Sequence, residues 1–291
     1  SVREILPDLI QLRRHLHAHP ELSGQEFQTA ALVAGELKKS GWKVKEGVGR
    51  TGIVAEMGPT SGPVIGLRVD MDALPIEEKT GLDYSSSFQG LMHACGHDLH
   101  TSIGLGVAKL LTLTPPLNCC TRLLFQPAEE IAQGASWMRL DGATKDLEAL
   151  FGVHVYPDLL IGQIGVRSGN LTAAAGELEI EIIGNGGHGA RPHEIVDSIL
   201  IAARVITGLQ EAISRRLDAL HPVVVSFGKI NGGNAFNVIP DRVKLLGTVR
   251  CLNTEVHEIL PDWIEKISQG IASTFGGEAR VNYRCIAPPV Y

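Results

Sequence analysis

Val64–Val69 is a short, nearly continuous apolar run that passes straight into Asp70-Met71-Asp72. A strand that is apolar on both faces must be covered on both, as in a largely parallel sheet between layers of helices. The pattern recurs. Cys119–Phe125 leads into Pro127 and the pair Glu129-Glu130, and Leu150–Tyr156 carries His154. Further strands are predicted at Trp42–Lys45, Gly52–Met57 and Ile161–Arg167. Helical spacing of Ile5, Leu9, Leu12 and Leu16 predicts a helix over residues 3–19. A second helix is predicted from Ser23, with Glu26 placed for a capping box, to Gly41. Thr101–Leu113 reads as a third. A fourth is predicted to open at Pro127 with Glu129 and Glu130 in its first turn. The expected fold class is α/β, with a mostly parallel sheet flanked by helices. Ligands bind such sheets beyond the carboxyl ends of the strands. Asp70, Asp72, Glu129, Glu130 and His154 all stand at or just past such ends.

The pattern changes near residue 173. Glu177–Ile183 alternates apolar and polar residues, as a half-exposed strand does. A Gly/His loop (184–193), a helix (194–219), strands at 222–230 and 240–251, a helix at 255–274 and a strand at 278–285 follow. This β-α-β-β-α-β order is that of a split, ferredoxin-like layer. The expected domains are therefore residues 1–172 and 173–287.

Composition narrows the function classes. A net charge of −6 argues against a nucleic-acid or anionic-membrane surface. No apolar run approaches the roughly 18 residues that span a bilayer. The five cysteines are odd in number and two are adjacent, which is not a disulfide framework; a reducing cytoplasm is expected.

The densest chemistry lies in Met92-His93-Ala94-Cys95-Gly96-His97-Asp98-Leu99-His100. Three imidazoles, a thiol and a carboxylate are costly to bury unless a divalent metal binds them. Cys95 and His97 form the strongest pair, because Gly96 lets the backbone bend between them. Asp98 is placed to orient a ligating imidazole. His93 and His100 are either supporting or plainly structural. Glu129 and Glu130 would point to opposite faces of a strand, but at a strand-to-helix corner one can face a metal and the other a water. His154 is a ligand candidate at a strand end. Asp70 and Asp72 can ligate metal, orient a ligand or cap the loop, and the residues alone leave this open. In the second domain Gly186-Gly187-His188-Gly189 and Asn234–Pro240 are loops into which a ligand can come close. His188 is otherwise a turn residue and Asn237 a turn cap. Arg250 can pair with a carboxylate or sit in solvent.

These residues resemble a known family. Arg13-Arg14-His15-Leu16-His17 with Pro20-Glu21, Arg68–Pro75, His93–Asp98, Gln126–Glu130, Gly152-Val153-His154, Gly187–Ala190, Asn237–Pro240 and Gly247–Arg250 follow in order the motifs of dinuclear-metal amidohydrolases related to aminoacylase and carboxypeptidase G. The branch most similar hydrolyses N-acyl amino acids, hippurate and indoleacetyl-amino-acid conjugates. The resemblance implies a metallopeptidase-like catalytic domain with an inserted lid/dimerisation domain. It implies two divalent metal ions (Zn, Mn, Co or Ni) held by Cys95, His97, Glu130 and His154, with Glu129 as general base. It further implies substrate binding by His188, Asn237 and Arg250, and a homodimer through the lid, with a small-molecule N-acyl amino acid as the partner. In that family the catalytic domain resumes after the lid and supplies one more histidine; here residues 288–291 correspond to the start of that return. Two other readings compete: a dipeptidase or aminopeptidase of the same fold, and a non-catalytic dimeric binding protein.

Overall fold

A computed structural model of the chain describes residues 1–116 and 118–290. The chain divides into two compact units, Ser1–Gln163 and the remainder from Ile164. Tyr291, the last residue of the expected return segment, lies outside the described residues.

The first unit runs α1 (Val2–Ala18), α2 (Phe27–Lys39), β1 (Lys43–Val48), β2 (Gly52–Met57), β3 (Val64–Asp70), α3 (His97–Leu113), β4 (Cys120–Gln126), α4 (Gly134–Leu140) and β5 (Leu147–Gly152). The five strands form one sheet in the order β1-β2-β4-β3-β5. The expected parallel character holds for β4-β3-β5, whereas β1 and β2 pair antiparallel, making the sheet mixed. The reason is local: only three residues, around Arg50, separate β1 from β2, too few for a crossover and enough for a hairpin. Val33 and Leu37 of α2 and Leu105 of α3 pack with Ile53, Val69, Leu123 and Phe125 of the sheet, all essentially inaccessible to solvent. This burial is the main favourable term for the unit.

Three sequence expectations are corrected here. Glu26 forms no capping box; its side chain is fully buried and makes tertiary hydrogen bonds instead. Glu129 and Glu130 lie in a turn, not in a helix. Ala128 and Ala132 there adopt left-handed backbone (φ 50° and 53°), which a helix forbids, so α4 starts only at Gly134. Ile161–Arg167 forms no ladder with another strand, and its Ile161, Ile164 and Val166 are exposed.

The second unit contains β6 (Ala174–Ile183), β7 (Gly187–His188), α5 (Ser198–Arg216), β8 (Val223–Asn231), β9 (Val238–Ile239), β10 (Arg242–Cys251), α6 (Thr254–Thr274) and β11 (Glu278–Ala287). The long strands form an antiparallel sheet in the order β11-β6-β10-β8. That is the ferredoxin-like arrangement, and Ile180, Ile201, Val205, Leu245, Leu260 and Ile264 fill the layer between sheet and helices. The segments entering and leaving the unit meet: Leu171 N donates to Val290 O at 2.8 Å and Val290 N to Thr172 O at 3.2 Å. No helix among the described residues is long and apolar enough to cross a membrane.

Candidate metal centre

The parallel register brings three strand ends to one edge. Asp70, the last residue of β3, stands opposite Gln126, the last of β4, and Arg68 stands opposite Gly152, the last of β5. Asp72, the Glu129-Glu130 turn and His154 follow these ends directly. The amino end of α3 reaches the same edge. Its N-cap, Gly96, has φ 85°, and a Cβ there would lie 2.5 Å from Val155 Cγ2, so glycine alone permits the bend between Cys95 and His97.

His97 is the hub. It is completely buried, and its Nδ1 donates to Asp72 Oδ1 at 3.2 Å. Its Nε2 has no hydrogen-bond partner, yet faces Asp70 Oδ1 at 3.7 Å, Glu130 Oε1 at 3.7 Å and Glu129 Oε2 at 3.9 Å. Burial pulls its pKa down, but the Asp72 hydrogen bond and the Asp70, Asp72 and Glu130 charges outweigh it, and the net direction is up. The ring thus calls for a positive charge at Nε2, which a proton or a metal cation supplies.

Cys95 and His154 carry the same message. Cys95 Sγ lies 3.5 Å from His154 Nε2. His154 Nδ1 donates to Val155 O at 2.7 Å, which leaves Nε2 as a lone pair facing the sulfur. Burial, and then the charges of Glu130, Glu129 and Asp70, push the Cys95 thiol up to about 12. A thiolate there needs a cation beside it. Burial likewise raises the pKa of Glu130, whose Oε1 is buried without a hydrogen-bond partner. Three sets of potential ligand atoms lie within 4.8 Å of one another: Cys95, His97 and His154; His97, Glu129 and Glu130; and Asp70, His97 and His100. The donor set and its unpaired buried atoms therefore fit divalent metal.

The third set is weakened by His100 itself. Its Nδ1 donates to Asp70 Oδ1 at 2.6 Å and its Nε2 accepts from Val155 N at 2.9 Å, so both ring nitrogens are used. His100 ties the end of β3 to the segment after β5. Asp70 also meets Arg68 Nη1 at 2.6 Å. Burial opposes its ionisation, but His100, Arg68 and His97 prevail and hold its pKa at about 2. Asp72 Oδ2 accepts from Ser23 Oγ at 2.6 Å and from Glu130 N at 3.0 Å, so this carboxylate orients rather than coordinates.

Behind the edge lies a charged cluster that corrects one expectation: Asp98 orients none of the candidate ligand imidazoles and pairs instead with side chains of α1. Asp98, fully buried, meets Arg13 Nε at 2.7 Å and His17 Nδ1 at 2.8 Å. His17 Nε2 meets Glu78 Oε1 at 3.2 Å. A carboxylate on each nitrogen favours the charged ring of His17, and its pKa is raised chiefly by the Asp98 hydrogen bond, against burial and the Arg13 charge. The i, i+4 spacing of Arg13 and His17 next to buried Leu16 is the signal that marks this face of α1. His93 is buried, and burial pushes its pKa down to about 4, so it stays neutral. It is not among the grouped ligand atoms.

In the second unit, β7 pairs with β9, so that His188 stands opposite Val238, next to Asn237. Gly189 N donates to Asn237 O at 2.9 Å, and His188 Nδ1 accepts from Ala190 N at 3.1 Å. Arg250 sits near the far end of β10, some eight residues or about 26 Å of strand from that strand's start beside β9. The fold brings His188 and Asn237 together and leaves Arg250 apart from them.

Residues 66–288 match the profile of Peptidase family M20/M25/M40. The chain is 55% identical over 289 residues to the protein named "Probable hydrolase sll0100" in Synechocystis sp., covering 98% of this chain and 74% of that protein. It is 43% identical over 284 residues to N-acetyl-L-cysteine deacetylase of Bacillus subtilis, covering 97% and 68%. A dinuclear metal binding peptidase of the M20 family from Bacillus subtilis superposes with a TM-score of 0.86 at 37% identity, covering 99% of this chain and 76% of that one.

Proposed function

The chain belongs to peptidase family M20/M25/M40, and we propose that it hydrolyses the amide bond of N-acyl amino acids, releasing a carboxylic acid and a free amino acid. The observation that carries this reading is the unpartnered Nε2 of His97, buried among the carboxylates of Asp70, Glu129 and Glu130. In this reading Cys95, His97, Glu130 and His154 hold two divalent ions, and the thiol, imidazole and carboxylate set suits Zn, Mn, Co or Ni. When bound, the ions supply Lewis acidity to the scissile carbonyl. Glu129 is the more open of the paired acids, its side chain 39% exposed against 17% for Glu130. Its Oε2 can take the proton of the attacking water and return it to the leaving amine, the role of a general base turned acid. Glu130, held by its own amide on Asp72, keeps its carboxylate directed inward.

The second unit, residues 173–287 in the expected division, acts as lid and dimerisation domain. His188 serves the site of a neighbouring copy in a homodimer, where it stabilises the developing oxyanion. Asn237 and Arg250 hold the amide and carboxylate of the substrate in this reading. The five free cysteines are in keeping with a cytoplasmic setting.

The deciding experiment is turnover of N-acetyl- and N-benzoyl-amino acids against free dipeptides, with each of the four metals, for the chain and its Glu129→Gln variant. Preferential hydrolysis of the acyl amino acids, lost by two to four orders of magnitude in the variant, is expected. Preference for dipeptides, or a fully active Glu129→Gln, would overturn the reading.

A further inference from the structure

We infer that Glu26 is a positioning residue that sets the Glu129-Glu130 turn from the far side of the sheet edge; this rests on the assignment of Glu129 as base. Glu26 precedes α2 and is completely buried. Its Oε1 accepts from Gly24 N at 2.8 Å and from Ala128 N at 2.8 Å, and its Oε2 accepts from Thr51 Oγ1 at 2.5 Å. Each partner is a donor, so the carboxylate is satisfied without a cation.

The Ala128 contact spans 102 positions of sequence and lands on the pivot of the turn. Ala128 has φ 50°, a conformation costly for a residue with a Cβ and kept only where neighbours fix it. Its carbonyl accepts from Gln133 N at 3.2 Å and Gly134 N at 3.1 Å, and Glu129 O accepts from Ala132 N at 2.7 Å. The turn is thus a ring closed on Ala128. Two carboxylates fix its orientation: Glu26 grips the Ala128 amide, and Asp72 grips the Glu130 amide at 3.0 Å. Glu129 lies between the two grips. Removing the Glu26 grip leaves the ring closed but held only from the Asp72 side, so that the Ala128 end loosens and Glu129 loses its fixed position.

The test compares Glu26→Gln, whose amide oxygen can still accept at the Oε1 position, with Glu26→Asp, which keeps the charge and withdraws it by one methylene. Exchange of the Ala128 amide is measured by NMR or mass spectrometry on the metal-free chain. kcat and KM are measured on N-acetyl amino acids with the metal-loaded chain. Expected for Glu26→Asp is Ala128 exchange about tenfold faster, with kcat down about 10- to 100-fold and KM nearly unchanged. Glu26→Gln is expected to stay within about threefold of the parent in both. Unchanged exchange in Glu26→Asp, faster exchange with unchanged kcat, or equal damage from Glu26→Gln would each overturn the proposal. A parent chain inactive on every acyl amino acid would instead sink the functional reading, while the exchange comparison would still decide whether Glu26 holds the turn.

Discussion

Asp72 fixes the tautomer of His97. With Asp72 Oδ1 3.2 Å from Nδ1, the proton sits on Nδ1 and Nε2 is left to face the acids. The other oxygen of Asp72 holds the Glu130 amide, so one carboxylate aligns two of the proposed ligands. In Asp72→Asn only one of those donors can keep an oxygen acceptor. Metal affinity should fall about 10- to 100-fold, as read by chelator competition. Unaltered affinity would mean that Asp72 is mere loop support.

Cys95→Ala and Glu129→Gln should separate binding from chemistry. The Cys95 sulfur faces His154, whose Nε2 has no hydrogen to offer it. Cys95→Ala is expected to lose metal stoichiometry by elemental analysis. Glu129→Gln should keep its metal and lose only turnover. Equal metal content in both variants would remove Cys95 from the ligand set.

His17 gives a pH signature. Its folded pKa lies above the usual 6.5, so the folded chain holds a proton that the unfolded chain gives up first. Its stabilisation is fully present below about pH 6.5 and is lost as pH rises through the folded pKa. His17→Asn leaves Asp98 with Arg13 as its remaining cation and Glu78 facing an uncharged group, which should cost about 1–3 kcal/mol near pH 6. Urea unfolding of the two chains should show that gap narrowing towards alkaline pH. A gap that widened with pH would show that His17 is neutral in the fold.

Gly134 tests the tightness of the acidic turn. A Cβ there would come within 1.6 Å of Pro127 O, so Gly134→Ala must open the ring closed on Ala128. A destabilisation of about 1–3 kcal/mol is expected, together with loss of turnover. Equal unfolding midpoints would show that the backbone adjusts freely.

The strands of the first unit were legible because Val64–Val69 and Cys119–Phe125 are apolar on both faces, and buried central strands require that. The first two strands were found too, but their antiparallel pairing depends on a short hairpin, which leaves no trace in periodicity. Cys95, His97, Glu130 and His154 were visible as residue types at strand ends and loops, and the fold places them together. Glu129 and Glu130 were assigned to a helix because Pro127 and paired acids imitate a helix start. The left-handed Ala128 that prevents it goes with the turn's own closing hydrogen bonds and with a tertiary contact to Glu26. Glu26 itself read as a local cap because two of its three partners, Thr51 and Ala128, are distant in sequence. Asp70, Asp72 and His100 stay between alternative roles in the sequence, because a carboxylate that orients and one that coordinates look alike in a string of letters.

The parallel pairing of β3 with β4 and β5 has a further consequence for the candidate centre. Cys95 and His97 precede β4, Glu130 follows it, and His154 follows β5, so these donors share one edge only once three separate segments have joined the sheet. Their grouping is a property of the assembled fold and of no single segment.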